Sequence, residues 1–440
     1  MRSEFLTKGM ANADLIRRSL NSVWHPCTQM KHHESTPLVP FSSGQGVWLY
    51  DYEGKRYLDA VSSWWVNLFG HCNARINAAI TDQLNRLEHA ILAGFTHEPV
   101  VELSERLAKL SKLGHAFYAS DGASAIEIAL KMSFHHWKNS GNPRKTRFVS
   151  LENGYHGETI GALSVTDVAI FRDAYSPLVA EGLKTKSPDS RLAEPGESAL
   201  DHALRAARAL ETLFEARHGE IAALVVEPLV QGAAGMGMYP PAYIERARQL
   251  CDRYDIHLIA DEIAVGFGRT GTFFACEQAS IRPDFLCLSK GITGGYLPLS
   301  AVLTREEIFA SFYDDSVARA FLHSHSYTGN ALACRAALAV LDLFEHDDVL
   351  ESNRKKAAFL NARASDIASH PAVRNFRNTG MIWAFEVEDG RGDFPTRFPL
   401  AALEAGLLLR PIGNTVYFMP PYVISEDEID FLVRKTLEIL

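Results

Sequence analysis

Short, almost wholly apolar runs recur through the middle of the chain, separated by longer segments whose apolar residues fall at helical spacing. Ile221 to Val226, Ile256 to Ala260, Asp284 to Leu288 and Leu299 to Leu303 are such runs, with Arg147 to Ser150 a briefer one. Runs with no polar face predict strands of a mostly parallel sheet covered on both sides. Periodicity predicts helices over 100–112, over 123–137 with Ser120 or Asp121 as cap, from Pro241 to Tyr254, over about 330–345 and over 426–439. The expected fold class is α/β. A large domain should span 62–335, and a smaller α+β domain 336–440. Residues 1–61 are assigned to the smaller unit, because so few residues bury no core of their own.

Composition narrows the function classes. With 47% hydrophobic and 22% charged residues among 440, the chain reads as globular rather than disordered or fibrous. A net charge of −9 carries no basic footprint for nucleic acid. No apolar stretch is long enough to span a bilayer, and Met1 to Leu20 lacks the apolar stretch of a secretory leader. We expect no DNA-binding module ahead of Trp24. The six cysteines, 27, 72, 251, 276, 287 and 334, form no CxxC pair and read as reduced thiols of a cytoplasmic protein. The histidines show no metal-binding spacing, so no metal is expected.

Two strand ends carry the chemistry. Leu258-Ile259-Ala260 runs into Asp261-Glu262, and Leu286-Cys287-Leu288-Ser289 runs into Lys290-Gly291. Ligands of open α/β sheets bind at the carboxyl ends of strands. Burying an ammonium is costly, so a lysine at such an end needs a reason. One reading is that Asp261 and Lys290 merely pair with each other. The other uses both: a desolvated lysine becomes nucleophilic and forms a Schiff base with an aldehyde. A carboxylate facing a pyridine nitrogen keeps that ring protonated. Pyridoxal phosphate requires this pair.

Its phosphate needs a cradle, and Ala119-Ser120-Asp121-Gly122-Ala123-Ser124 supplies a small-residue turn opening into a helix, with free N–H groups at its start. Capping alone would also explain the turn. Ser324-His325-Ser326 before the 330–345 helix is a second candidate, or a plain loop. Gly266-Phe267-Gly268-Arg269-Thr270-Gly271 fits GxGxxG, but neither a preceding strand end nor a following helix is in place, and a dinucleotide site is rejected. Tyr155 reads as a flat wall beside a cofactor or as a turn-closing aromatic. Trp64 and Trp65 read as a substrate wall or as core. Arg410, ending Leu407-Leu408-Leu409, reads as a carboxylate clamp or an internal salt bridge.

Leu258 to Gly271 followed by Ser289-Lys290-Gly291 resembles the signature of class III aminotransferases, and the resemblance runs from about residue 22 to the end. Within that class it is closest to the branch of biotin biosynthesis that moves an amino group from S-adenosylmethionine to 8-amino-7-oxononanoate. The pieces that carry this are Trp24-His25-Pro26, Ser62-Ser63-Trp64-Trp65, Asn153 to Gly157, Glu227 to Gly232, Arg410 to Gly413 and Tyr417 to Pro421. The resemblance implies the type I pyridoxal-phosphate fold and a homodimer with shared active sites. It implies that Lys290 holds the cofactor covalently and serves as acid and base, with Asp261 on the pyridine nitrogen and Gly122 and Ala123 on the phosphate. His325 and Ser326 would complete that cradle from a second subunit. Trp64, Tyr155 and Ser324 would line the substrate pocket, and Arg410 would take the oxo-acid carboxylate. Three departures stand out: Cys27 where the class branch has Tyr, Ala123 where Ser is common, and Ser324-His325-Ser326 for Gly-Pro-Thr. The first bears on the amino donor, with lysine as the alternative to S-adenosylmethionine. A different ω-aminotransferase activity is the other alternative.

Overall fold

The computed structural model describes residues 11–36, 38–390 and 392–440. The first ten residues, half of the stretch read as lacking a secretory leader, lie outside the described ones. Seven strands form the central sheet: β1 (His115–Ala119), β2 (Arg147–Leu151), β3 (Leu183–Thr185), β4 (Ile221–Val226), β5 (His257–Asp261), β6 (Phe285–Leu288) and β7 (Ser300–Thr304). Their spatial order is β1-β7-β6-β5-β4-β2-β3. Pairing is parallel from β6 through β5, β4 and β2 to β3, whereas β7 runs antiparallel to both β6 and β1. The run ending at Leu303 is thus a strand, but a reversed one.

Every residue of β4, β5, β6 and β7 is buried, as strands covered on both faces must be. One layer is led by α1 (Gly122–Asn139), whose buried Ala125, Ile126, Ile128 and Ala129 lie on Val225, Ile259 and Val302. On the other side of the chain's middle, α2 (Ala199–Arg217) and α3 (Ala242–Tyr254) close a core with Leu224, Val226 and Leu258. Strands β1 and β3 and helix α2 are not among the elements the apolar pattern picks out. β1 mixes His115 with partly buried neighbours, and β3 is a three-residue edge.

α4 (Ala331–His346) has ten buried residues and packs in the largest core. The N-terminal strands Phe41–Gln45, Trp48–Asp51 and Arg56–Asp59 form a sheet completed by Leu407–Leu408, parallel to Arg56–Asp59. Chain start and chain end are therefore tied by backbone hydrogen bonds. A three-stranded sheet of Val373–Thr379, Ile382–Val387 and Thr415–Phe418 and the helix α5 (Glu426–Ile439) complete the C-terminal part. Among the described residues no helix is long and apolar enough to cross a membrane.

Candidate active site

Five strands deliver residues to one cavity of about 290 Å³ at their carboxyl ends. β1 leads to Asp121, Gly122 and Ala123; β2 to Tyr155 and His156; β4 to Glu227. β5 ends on Asp261, and β6 leads to Lys290. Parallel strands aim their carboxyl ends the same way, so distant parts of the sequence converge.

Asp261 and Lys290 share the cavity without forming an ion pair. The Asp261 carboxylate accepts from His156 Nδ1 at 2.7 Å and from the Ile263 amide at 3.1 Å. Both His156 and Asp261 are buried. Lys290 Nζ instead lies 4.8 Å from the centre of the Trp65 ring. Part of Lys290 faces the cavity, but protein surrounds the rest. That burial lowers its pKa from the usual lysine range, against the opposing pull of Asp261 and Glu227. A neutral amine is what nucleophilic attack on an aldehyde needs.

The turn before α1 opens directly into the helix. Asp121 caps α1, accepting from the Ser124 amide at 2.9 Å. A Cβ on Gly122 would meet Ile263 at 3.0 Å, and one on Gly157 would meet the Ala123 Cβ at 2.5 Å. The backbone therefore approaches the cavity only because these positions are glycine. A flat anionic ligand with a protonated ring nitrogen fits these groups: helix amides that donate, a buried carboxylate that accepts, and an amine, all lining one cavity.

Glu227, unremarked by the sequence except as part of a motif, is buried in the wall. It accepts from the amides of Tyr155 at 3.0 Å and Gly232 at 2.9 Å. Burial raises its pKa to about 7. His156 was likewise missed, because only the fold brings it to Asp261. Tyr155 is a cavity wall, and its hydroxyl donates to Glu158 at 2.8 Å. Burial and then Glu158 push that phenol up from its ordinary range.

The Trp pair sits in a left-handed turn rather than a strand. Ser62, Ser63, Trp64 and Trp65 have φ of 50°, 46°, 74° and 73°. Such a run is costly for side-chain-bearing residues, and dedicated contacts hold it. The Trp65 amide donates to Val61 O at 2.8 Å, Ser63 Oγ to Asp59 at 2.7 Å, and Ser62 Oγ to Met419 O at 2.7 Å. The turn separates the two rings. Trp65 is buried and lines the cavity, whereas Trp64 is 44% exposed and lies outside its lining. Arg410 stacks on Trp64, 4.5 Å from the ring centre, and donates to the Cys27 carbonyl at 3.1 Å. That contact uses Cys27 backbone, so it does not depend on the side chain there. Among the described residues no carboxylate pairs with Arg410.

Ser324, His325 and Ser326 are outside this chain's cavity lining. They form a turn in which the His325 amide donates to Thr328 Oγ1 at 3.1 Å. Arg269 of the GxGxxG match is 1% exposed and donates to the carbonyls of Pro420 at 2.7 Å and Asn67 at 3.0 Å. The motif is a structural tie, and no long helix follows it.

A mostly parallel seven-stranded sheet with a half-buried lysine and a buried carboxylate on adjacent strand ends defines a class. Residues 29–440 match the family described as aminotransferase class-III, and the chain belongs to it. Its relatives include the adenosylmethionine-8-amino-7-oxononanoate aminotransferase of Helicobacter pylori, 46% identical over 97% of this chain and 98% of that protein. The crystal structure of the Methanocaldococcus jannaschii enzyme of that name is 34% identical, with a TM-score of 0.92 over 98% of this chain and 99% of that one. An amine transaminase from an uncultivated Pseudomonas species, in a PLP-bound form, has 33% identity and a TM-score of 0.89, covering 95% of this chain and 98% of its own.

Proposed function

We propose that this chain makes 7,8-diaminononanoate from 8-amino-7-oxononanoate, with S-adenosylmethionine as amino donor and pyridoxal 5′-phosphate as cofactor, in biotin biosynthesis. The observation that carries the chemistry is Lys290, set beside Trp65 yet without an ion-pair partner among the described residues, one strand from the buried Asp261. The observation that carries the substrate is 46% identity, end to end, with a protein bearing that activity's name.

When bound, the cofactor supplies an electron sink for the electrons of the substrate C–H bond. The protein's residues do the rest. Lys290 Nζ would hold the cofactor covalently, and as a free amine it would take the proton from substrate carbon and return it. Asp261 holds a proton on the ring nitrogen, and His156 Nδ1–H holds Asp261. The amides at the start of α1, through Gly122 and Ala123, bind the phosphate, and losing the serine hydroxyl at 123 leaves the backbone donors in place. Tyr155 and Trp65 shape the pocket and exclude water from Lys290. Arg410, presented on Trp64, binds the oxo-acid carboxylate, and Ser324 meets substrate from the second subunit.

The same proposal includes a homodimer in the cytoplasm. Leu322 and Tyr327, on either side of the 324–326 turn in the chain, are largely exposed, as suits a contact with a second copy. His325 and Ser326 then serve the neighbouring site. The boundaries 1–61, 62–335 and 336–440 remain our proposed division.

A donor screen tests the reading. Purified enzyme with 8-amino-7-oxononanoate is given S-adenosylmethionine, lysine or simple amines, and diaminononanoate is measured by mass spectrometry. Product with S-adenosylmethionine is expected. Product only with lysine reassigns the donor, which Cys27 makes the pointed question. Turnover only without the oxononanoate makes the chain a general ω-aminotransferase.

A further inference from the structure

The cavity is poorly provided with cations for a ligand that carries a phosphate. Asp121, Glu158, Glu227 and Asp261 line it, against Lys290 alone. The amides of α1 supply part of what a phosphate needs, and the rest must come from outside this chain's lining.

The 324–326 turn carries unspent donors. Lys131 Nζ lies 2.7 Å from His323 Nδ1, and His323 Nε2 lies 3.1 Å from His325 Nε2. An ammonium has no acceptor, so Lys131 donates and His323 Nδ1 accepts. Neutral His323 then carries its proton on Nε2 and donates to His325 Nε2. Neutral His325 is left with its proton on Nδ1, and Nδ1 has no partner among the described residues. Burial, then Lys131 and His325, hold His323 below the usual imidazole range, against Glu127, so it stays in the neutral form the string requires. The Phe321 ring stacks on His323 at 5.7 Å, and the His89 ring anchors the Ser326 carbonyl at 2.9 Å. The turn is therefore pinned on both sides of His325.

We propose that Lys131, His323 and His325 form a hydrogen-bonded string that fixes the His325 ring with Nδ1–H outward, as a donor to the cofactor phosphate held by a second copy of this chain. The inference rests on the cofactor and homodimer of the proposed function. His325 would touch the phosphate, whereas Lys131 and His323 are positioning residues. The string also gives the imidazole at 325 a role that no proline could fill there.

The test compares binding of pyridoxal 5′-phosphate with binding of pyridoxal, which lacks the phosphate, by the visible absorbance of the Lys290-bound ligand. Sedimentation velocity checks the dimer in each variant. His325→Ala should weaken the phosphate ligand about tenfold, the equivalent of ~1.4 kcal/mol, and leave pyridoxal within about twofold. Lys131→Met and His323→Phe should each weaken the phosphate ligand selectively, and the double variant should be no worse than either, since both break one string. A mixed dimer of His325→Ala and Lys290→Ala copies should regain tight binding, because the intact lysine then faces an intact His325.

Equal loss for both ligands, wild-type affinity in Lys131→Met and His323→Phe, additive losses, or no recovery in the mixed dimer would each overturn the string. Lys131 is exposed, so its variant reads the string even if His323→Phe misfolds. Wild-type enzyme that binds neither ligand would instead overturn the cofactor reading itself.

Discussion

His156 Nδ1 lies 2.7 Å from Asp261 Oδ2, and the two side chains are 0% and 5% exposed. A carboxylate only accepts, so the proton sits on Nδ1. Nε2 is buried with no partner among the described residues. The histidine thus spends its one useful hydrogen bond on aiming Asp261. His156→Phe keeps a ring but leaves a buried carboxylate short of a donor, a cost of about 1–3 kcal/mol. The expected outcome is a melting temperature lower by several degrees and turnover reduced at least tenfold. Asp261→Asn should abolish turnover while the fold persists. Differential scanning calorimetry beside steady-state rates checks both, and a His156→Phe enzyme of full activity would show that Asp261 needs no orienting partner.

Arg410 has an aromatic shelf and a carbonyl but, among the described residues, no carboxylate. Arg410→Met should raise KM for the oxo-acid about tenfold or more and change kcat little, as expected when a charge-assisted bond of about 1.5–3 kcal/mol is lost from ground and transition states alike. Trp64→Ala should give a smaller rise in the same parameter, because it removes only the shelf. The double variant should match Arg410→Met. If Trp64→Ala instead lowers kcat, the ring meets the reacting atoms.

What the sequence made legible follows physical lines. Fully buried strands such as Ile221–Val226 announce themselves by having no polar face, and their ends mark where Asp261 and Lys290 stand. β1 and β3 lack that signature, as an edge strand and a strand with half-buried residues do. Side-chain partnerships across the sheet were out of reach: nothing local ties His156 to Asp261, or Glu262 to the amides of Ala275 and Cys276 at 2.6 and 2.8 Å. The Trp pair shows the same limit. Spacing gave two adjacent rings, and only the left-handed turn decides that Trp65 joins Lys290 while Trp64 carries Arg410.

Trp65 therefore bears on the amine itself. Its ring covers Lys290, and its Nε1 donates to the Tyr417 hydroxyl at 3.1 Å. Trp65→Ala should cost about 3–5 kcal/mol of stability through the space it leaves. Water admitted there should also return the Lys290 pKa toward the ordinary lysine range, since burial is what lowers it. Covalent cofactor attachment near neutral pH should slow, and its pH profile should move to higher pH. Trp65→Phe keeps the cover and should shift the profile far less. Stopped-flow absorbance across pH reads both. An unmoved profile in Trp65→Ala would mean that other groups desolvate Lys290.

His257 tests burial at the opposite, amino end of the same strand that ends on Asp261. Its ring stacks on Trp137 at 4.4 Å and Nδ1 meets Ser133 Oγ at 2.9 Å. Burial, then His136, Arg305, Lys145 and Arg248, hold it well below the usual imidazole value of 6.5, so it stays neutral in the fold. The unfolded chain takes up a proton as pH falls through 6.5, and the folded chain does not. Stability is thus fully present above that pH and declines below it, by up to about 1.4 kcal/mol per pH unit for one such group. Glu227 and Glu262, raised by burial to about 7, act in the opposite sense. They hold protons in the fold that the unfolded chain releases above 4.5, and that contribution is gone once pH passes about 7. The two effects oppose each other between pH 4.5 and 6.5, but two carboxyls outweigh one imidazole by about one proton, so wild-type stability should rise as pH falls there, by up to about 1.4 kcal/mol per pH unit. Removing the histidine should unmask the carboxyls: His257→Phe should melt higher at pH 5.5, relative to its own value at pH 7.5, than wild type does. Melting curves of both proteins at the two pH values decide it, and identical pH differences would show that His257 takes up its proton in the fold just as it does in the unfolded chain.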